Sequence, residues 1–146
     1  MSIKLKPVLR IVLDTSVIVA GLRSRSGASN KLLGLIARGH AVALATPALF
    51  LEYEEVLKRT EQRAVHGLAD AQIERFLEAF ASVIEPVTVH FGWRPQLNDP
   101  ADEMVLEAAI NGRADALVTF NVRDFSAAGA RFGVLILRPG EVLKKV

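Results

Sequence analysis

Apolar residues in this chain fall into short unbroken runs, separated by longer stretches in which they recur every three or four positions. Val8-Leu9-Arg10-Ile11-Val12-Leu13 is the first run, rich in branched side chains. It reads as a strand buried on both faces that ends at Asp14. Ala28 to Arg38 predicts a helix closed by Gly39, and Ala41 to Ala45 a second buried strand. Thr46-Pro47 is a helix start, with threonine as N-cap and proline first inside; that helix is expected to run to Arg59. A further helix is predicted over Asp70 to Val83 and a short strand over Val87 to His90. Asn98-Asp99-Pro100 is another helix entry, leading through Ala101 to Asn111 and stopping at Gly112. Ala116 to Thr119 and Val134 to Leu137 read as strands, Pro139 to Leu143 as a last helical turn, and Arg23 to Gly27 as a polar loop. Strands that alternate with helices predict a single α/β domain over residues 1–146, a three-layer α/β/α unit with a mainly parallel, doubly wound sheet.

Composition supports one core. Of 146 residues, 51% are apolar, enough to exclude disorder for most of the chain. The stretch Ala41 to Leu51 carries no charge for 11 residues, short of the roughly 20 needed to cross a bilayer, so no membrane span is expected. Lys4 and Lys6 precede no small-residue cleavage pattern and the chain has no cysteine; the expected location is the cytoplasm. Net charge is +2, unevenly placed: Met1 to Phe50 holds seven basic residues against one acid, Asp14. Leu51 to His90 reverses the balance, with eight acids and four bases.

Four carboxylates stand out. Asp14 follows the most apolar strand, and in open parallel sheets the ligand crevice lies outside the carboxyl ends of the strands. Glu54 and Glu55 are explained by Lys58 and Arg59 at i+4, whereas Glu52, with Leu49 at i−3 and Val56 at i+4, falls at the rim of the apolar face. Asp102, Val105, Leu106 and Ala109 share the spacing of a buried helix stripe, which puts an acid at a core-facing position; Asp99 is the natural N-cap. Asp124 lies in the loop after the strand Ala116 to Thr119, towards the same crevice. Carboxylates gathered there either hold their protons more tightly or are neutralised by a cation. His40, His66 and His90, expected at the surface or at strand ends, are not at ligand spacing; all-oxygen ligation points to Mg²⁺ or Mn²⁺ rather than zinc.

Four segments carry a resemblance to a known family. Val12-Leu13-Asp14-Thr15-Ser16-Val17, Leu51-Glu52-Tyr53 before Val56-Leu57, Asn98-Asp99-Pro100-Ala101-Asp102-Glu103, and Val118-Thr119-Phe120-Asn121-Val122-Arg123-Asp124-Phe125 occur in the order and spacing of PIN-domain metal-dependent ribonucleases. Within these the chain resembles the VapC-like toxins of toxin–antitoxin pairs. The resemblance implies a Rossmann-like fold and an endoribonuclease in which Asp14, Glu52, Asp102 and Asp124 hold one or two Mg²⁺ or Mn²⁺ ions that activate water against an RNA phosphodiester. It also implies a homodimer and a small antitoxin that fills the active-site groove. Asn121 departs from the pattern, since family members often carry aspartate there. Ser16 is expected to hydrogen-bond a ligand carboxylate, and Arg23, Arg25 and Lys31 to follow the RNA backbone.

Two other classes compete. A haloacid-dehalogenase-like phosphatase would use Asp14 as nucleophile, but needs a second aspartate where Ser16 stands. A PIN-like module that binds RNA or protein without turnover would explain Asn121. A phosphate-binding P-loop is excluded, because the run Gly34 to Gly39 is followed by His40 where lysine is required.

Overall fold

The computed structural model describes residues 8–90, 92 and 96–146. In chain order the elements are β1 (Leu9–Leu13), α1 (Thr15–Arg23), α2 (Ala28–Ala37), β2 (Ala41–Ala45), α3 (Pro47–Lys58), α4 (Thr60–His66), α5 (Asp70–Val83), β3 (Glu85–Pro86), α6 (Pro100–Asn111), β4 (Ala116–Val118), α7 (Val122–Phe132), β5 (Leu135–Leu137) and α8 (Pro139–Leu143). The five strands are all parallel, in the order β3-β2-β1-β4-β5, and helices flank the sheet in the expected α/β/α layering.

The order explains why the β1 run is apolar without alternation. Ile11 lies opposite Ala43 of β2 on one side and Ala116 of β4 on the other, and Ile11, Val12 and Leu13 are each at most 1% exposed. After β1 the chain builds one half of the sheet through β2 and β3, then crosses back to build the other through β4 and β5. The switch falls between β1 and β4, and a crevice opens outside the carboxyl ends of those two strands. Asp14 extends the β1–β4 pairing by one bond, its N–H donating to the Val118 carbonyl at 2.9 Å.

Helix entries formed as the sequence predicted. Thr46 Oγ1 accepts from Leu49 N–H at 3.1 Å ahead of Pro47, and Asp99 accepts from Ala101 N–H at 2.9 Å ahead of Pro100. Gly39 closes α2 with φ +79°. Three helices, α1, α4 and α7, were not anticipated, and one strand is displaced. The short edge strand is Glu85–Pro86, not Val87 to His90. Val87 still donates to Ala45 O, but Val89 is 43% exposed and His90 N–H donates to Asn111 Oδ1 at the end of α6. Apolar–polar alternation there reflects one buried valine, not a paired strand.

His66 departs from expectation by being buried. Its Nδ1 accepts from Leu68 N–H at 3.0 Å, so the proton sits on Nε2, which donates to the Leu57 carbonyl at 3.0 Å. The neutral ring thereby ties the end of α3 to the end of α4, two helices that form one wall of the crevice.

Candidate active site

At the switch point lies an open cleft of about 720 Å³ whose lining includes Asp14, Glu52, Asp99, Asp102 and Asn121. A second recess of about 350 Å³ shares Asp99, Asp102 and Asn121 with it and adds Asp124 and Arg131. Five carboxylates from four elements and their caps therefore meet along one edge of the sheet.

Asp14 is the most buried of them, at 9% exposure. It occupies the N-cap position of α1, yet its side chain makes no capping bond. Instead Oδ2 accepts from Thr119 Oγ1 at 2.7 Å and from Ser16 Oγ at 3.2 Å. Thr119 is fully buried after β4, and its hydroxyl oxygen also accepts from Asn121 N–H at 2.9 Å. One threonine thus fixes the carboxylate of β1 and the entry to α7 together. Burial pushes the Asp14 carboxyl above the ordinary aspartate value; the Thr119, Ser16 and Thr15 N–H bonds oppose the rise, and the charge of Asp99 adds to it.

Asp102 sits in the first turn of α6. It is half-buried and faces the cleft, not the core; the buried acid of that turn is Glu103, 5% exposed, whose Oε1 accepts from Gln96 and Leu97 N–H. The stripe Val105, Leu106 and Ala109 is buried as expected, but Asp102 is only half-buried, at its margin. Its carboxyl is pushed up from 3.8 to about 6, first by desolvation and then by the charges of Asp14, Asp99, Asp124 and Glu103. Asp99 is a site residue that sequence reasoning assigned wholly to capping. It does cap α6, and its charge also acts on both Asp14 and Asp102.

Glu52 is half-buried on α3 and lines the cleft, as its rim position implied. Asp124 is exposed and belongs to the first turn of α7, not to a loop; it accepts from Asn121 Nδ2 at 2.6 Å. Asn121 brings no charge, but it holds Asp124 beside Asp102. Among the basic residues singled out in the sequence, Arg23 lines the cleft. Arg25 is exposed outside its lining, and Lys31 lines a separate recess with Arg38 and Leu143. Arg59 and Gln62, on the α3–α4 wall, also line the cleft and were missed. Arg59 carries an i,i+4 pair with Glu55 that gave it a sufficient surface explanation.

The donor set is all oxygen and anionic, which suits a hard divalent cation. Among the described residues no group of three or more acidic, histidine or cysteine side chains is placed to hold a metal ion by itself. Mg²⁺ is commonly held by one or two carboxylates together with waters and substrate phosphates. No described helix is long and apolar enough to cross a membrane.

Comparison with known proteins agrees with this fold. The family model described as PIN domain matches residues 10–123. VapBC2 from Rickettsia felis, bound to a DNA fragment from its promoter, has 19% identity and TM-score 0.57, over 89% of this chain and 98% of that one. FitAB bound to the IR36 DNA fragment has 20% identity and TM-score 0.55, covering 88% and 94%. FitAcB from Neisseria gonorrhoeae has 21% identity and TM-score 0.51, covering 88% and 97%. At these identities the likeness is one of fold. No curated protein sequence matches the chain significantly.

Proposed function

Because the chain belongs to the PIN domain family, whose members are generally nucleases, we propose that it is a Mg²⁺- or Mn²⁺-dependent endoribonuclease acting as the toxin of a type II toxin–antitoxin pair. The observation that carries this reading is the carboxyl cluster at the β1–β4 switch point, where Asp14 and Asp102 are both held above the ordinary aspartate range. Residues 1–146 form one functional unit, a homodimer in the cytoplasm, restrained by an antitoxin protein. The fold likeness to VapBC2 and FitAB supports that assignment.

A divalent cation supplies positive charge that neutralises the phosphate and lowers the pKa of a coordinated water. Asp14, Glu52 and Asp102 would hold it, with Asp124, tethered by Asn121, as the fourth acid. Thr119 and Ser16 fix the rotamer of Asp14. Arg23 meets the RNA backbone at the mouth of the cleft, while Arg25 and Lys31 act as more distant phosphate contacts. The test is cleavage of a mixed RNA pool with Mg²⁺ or Mn²⁺, with EDTA as control. Metal-dependent cutting supports the reading. A folded protein that binds RNA but never cuts it would favour the non-catalytic module, the reading that Asn121 and the open ligand set keep in play.

Protonation gives a second check. The folded protein keeps the Asp102 proton until about pH 6, whereas the unfolded chain releases it near 3.8. The folded state binds more protons in that window, so this group's contribution to stability is complete below 3.8 and is lost as pH rises through about 6. Asp14 acts in the same direction. Added Mg²⁺ is therefore expected to raise the Tm at pH 7.5 and to do so much less at pH 5, as followed by thermal unfolding with and without EDTA. A shift of equal size at both pH values would mean the cation binds elsewhere.

Thr119→Val removes the donor to Asp14 and the acceptor for Asn121 N–H without changing shape. Leaving the buried Asp14 carboxylate and the Asn121 N–H each short of a partner is expected to lower stability by about 1–3 kcal/mol in urea unfolding. Cleavage should fall about 10- to 100-fold, with Thr119→Ser retaining most of it.

A further inference from the structure

Phe120 is 43% exposed and lines the cleft, the one aromatic among the described residues that does so. The residues before it, Val118 and Thr119, are fully buried. Thr119 turns inward to Asp14, and Phe120 follows it at the bend where the chain leaves β4 for α7. The ring is not on slack chain. Thr119 N–H donates to Leu137 O at 2.9 Å, and Asn121 N–H to Thr119 Oγ1 at 2.9 Å, so both neighbours are anchored.

The surroundings indicate the chemistry of what the ring meets. The acids that would hold a cation lie in the same cleft, and Arg23 and Arg59 line it too, Arg59 with its guanidinium paired to Glu55. A flat apolar face next to cationic and metal-binding groups matches a nucleotide, which presents a flat apolar base beside an anionic phosphate. A base still paired in a duplex offers no free face, whereas an unpaired one stacks on an aromatic ring regardless of its identity. We propose that Phe120 is the stacking platform for the nucleobase next to the scissile phosphate. This inference rests on the nuclease reading and names the residue that positions the base.

The test measures binding of a short single-stranded RNA carrying 2-aminopurine, and of the same RNA annealed to its complement, in the inactive Asp14→Asn background with Mg²⁺. Phe120→Ala and Phe120→Leu are expected to weaken single-strand binding about 10-fold and to abolish the stacking quench of 2-aminopurine, while Phe120→Trp keeps both. The duplex should bind no more tightly to Phe120 than to Leu. If leucine serves as well as phenylalanine, the contact is mere apolar cover and the proposal fails. If RNA binding is unchanged in every Phe120 variant while capture of the co-expressed antitoxin is lost, the ring belongs to a protein interface and the proposal also fails. If the unmodified chain neither cuts nor binds RNA with either metal, the nuclease reading falls first and takes this inference with it.

Discussion

Asp14→Asn is expected to leave the protein folded, to raise its stability when no divalent cation is present, and to lower RNA cleavage by about 10³-fold or more. The loss follows from position and charge. Asparagine keeps an oxygen to accept from Thr119 Oγ1 and Ser16 Oγ, so the local bonds survive, but the anion at the most buried point of the cleft is gone. The stability gain follows from the same burial. A carboxylate held above its ordinary pKa by desolvation is costly to keep charged, and that cost is present at neutral pH and disappears as pH falls through the raised value. Thermal unfolding in EDTA should therefore show the variant above the unmodified protein at pH 8 and the two converging at pH 4.5. Mg²⁺ should reverse the order at pH 8, because the cation stabilises only the chain that carries the charge. A variant that cuts RNA as fast as the original would remove Asp14 from the chemistry.

How much of this was legible in the sequence depends on which residues carry local signals. The strand order could be anticipated in class because β1, β2 and β4 are apolar on both faces, a pattern that only a covered parallel sheet explains. Thr46-Pro47 and Asp99-Pro100 fixed two helix starts through cap chemistry that acts within three residues. Helix α1 was invisible for the opposite reason. Thr15 to Arg23 contains three β-branched residues in a row from Val17 and a glycine at 21, weak helix formers that hold the form through packing of Val17, Ile18 and Gly21. Helix α7 was hidden because its first turn, with Asp124, read as the loop after the strand. The glutamate–aspartate exchange at the start of α6 is more instructive. Helical spacing placed Asp102 inward, but the core ends before the first turn of α6 does, and Glu103 turns instead towards the Gln96 and Leu97 N–H groups. Periodicity gives the face of a helix and not the depth of each turn. Asp14 and Glu52 stood out because nothing local explained them; Asp99 and Arg59, which line the same cleft, did not, because capping explained the one and an ion pair with Glu55 the other.

Tyr53 links the core to the site, and its truncation is expected to produce the largest loss of stability of any change considered. The ring is 1% exposed, lies near-parallel to Phe80 at 6.0 Å and edge-on to Phe50 at 6.3 Å, and its hydroxyl donates to the Leu13 carbonyl. Burial, with the Asp14 charge adding, holds the phenol well above its ordinary pKa, so it remains a donor throughout the accessible pH range. Tyr53→Ala should cost about 3–5 kcal/mol through the cavity it leaves. Tyr53→Phe keeps the packing and isolates the hydrogen bond, and should cost about 1–3 kcal/mol because the Leu13 carbonyl is left unpaired away from water. Urea unfolding of both variants separates the two contributions. The phenylalanine variant matters more for mechanism, since Leu13 directly precedes Asp14 and its carbonyl fixes where β1 ends. Under conditions where that variant is fully folded, kcat should fall while KM is little changed, because the cleft walls that bind RNA are intact and only the carboxylate at its floor has lost an anchor. Unchanged kcat in a measurably destabilised Tyr53→Phe protein would show that Thr119 and Ser16 suffice to position Asp14 without support from below.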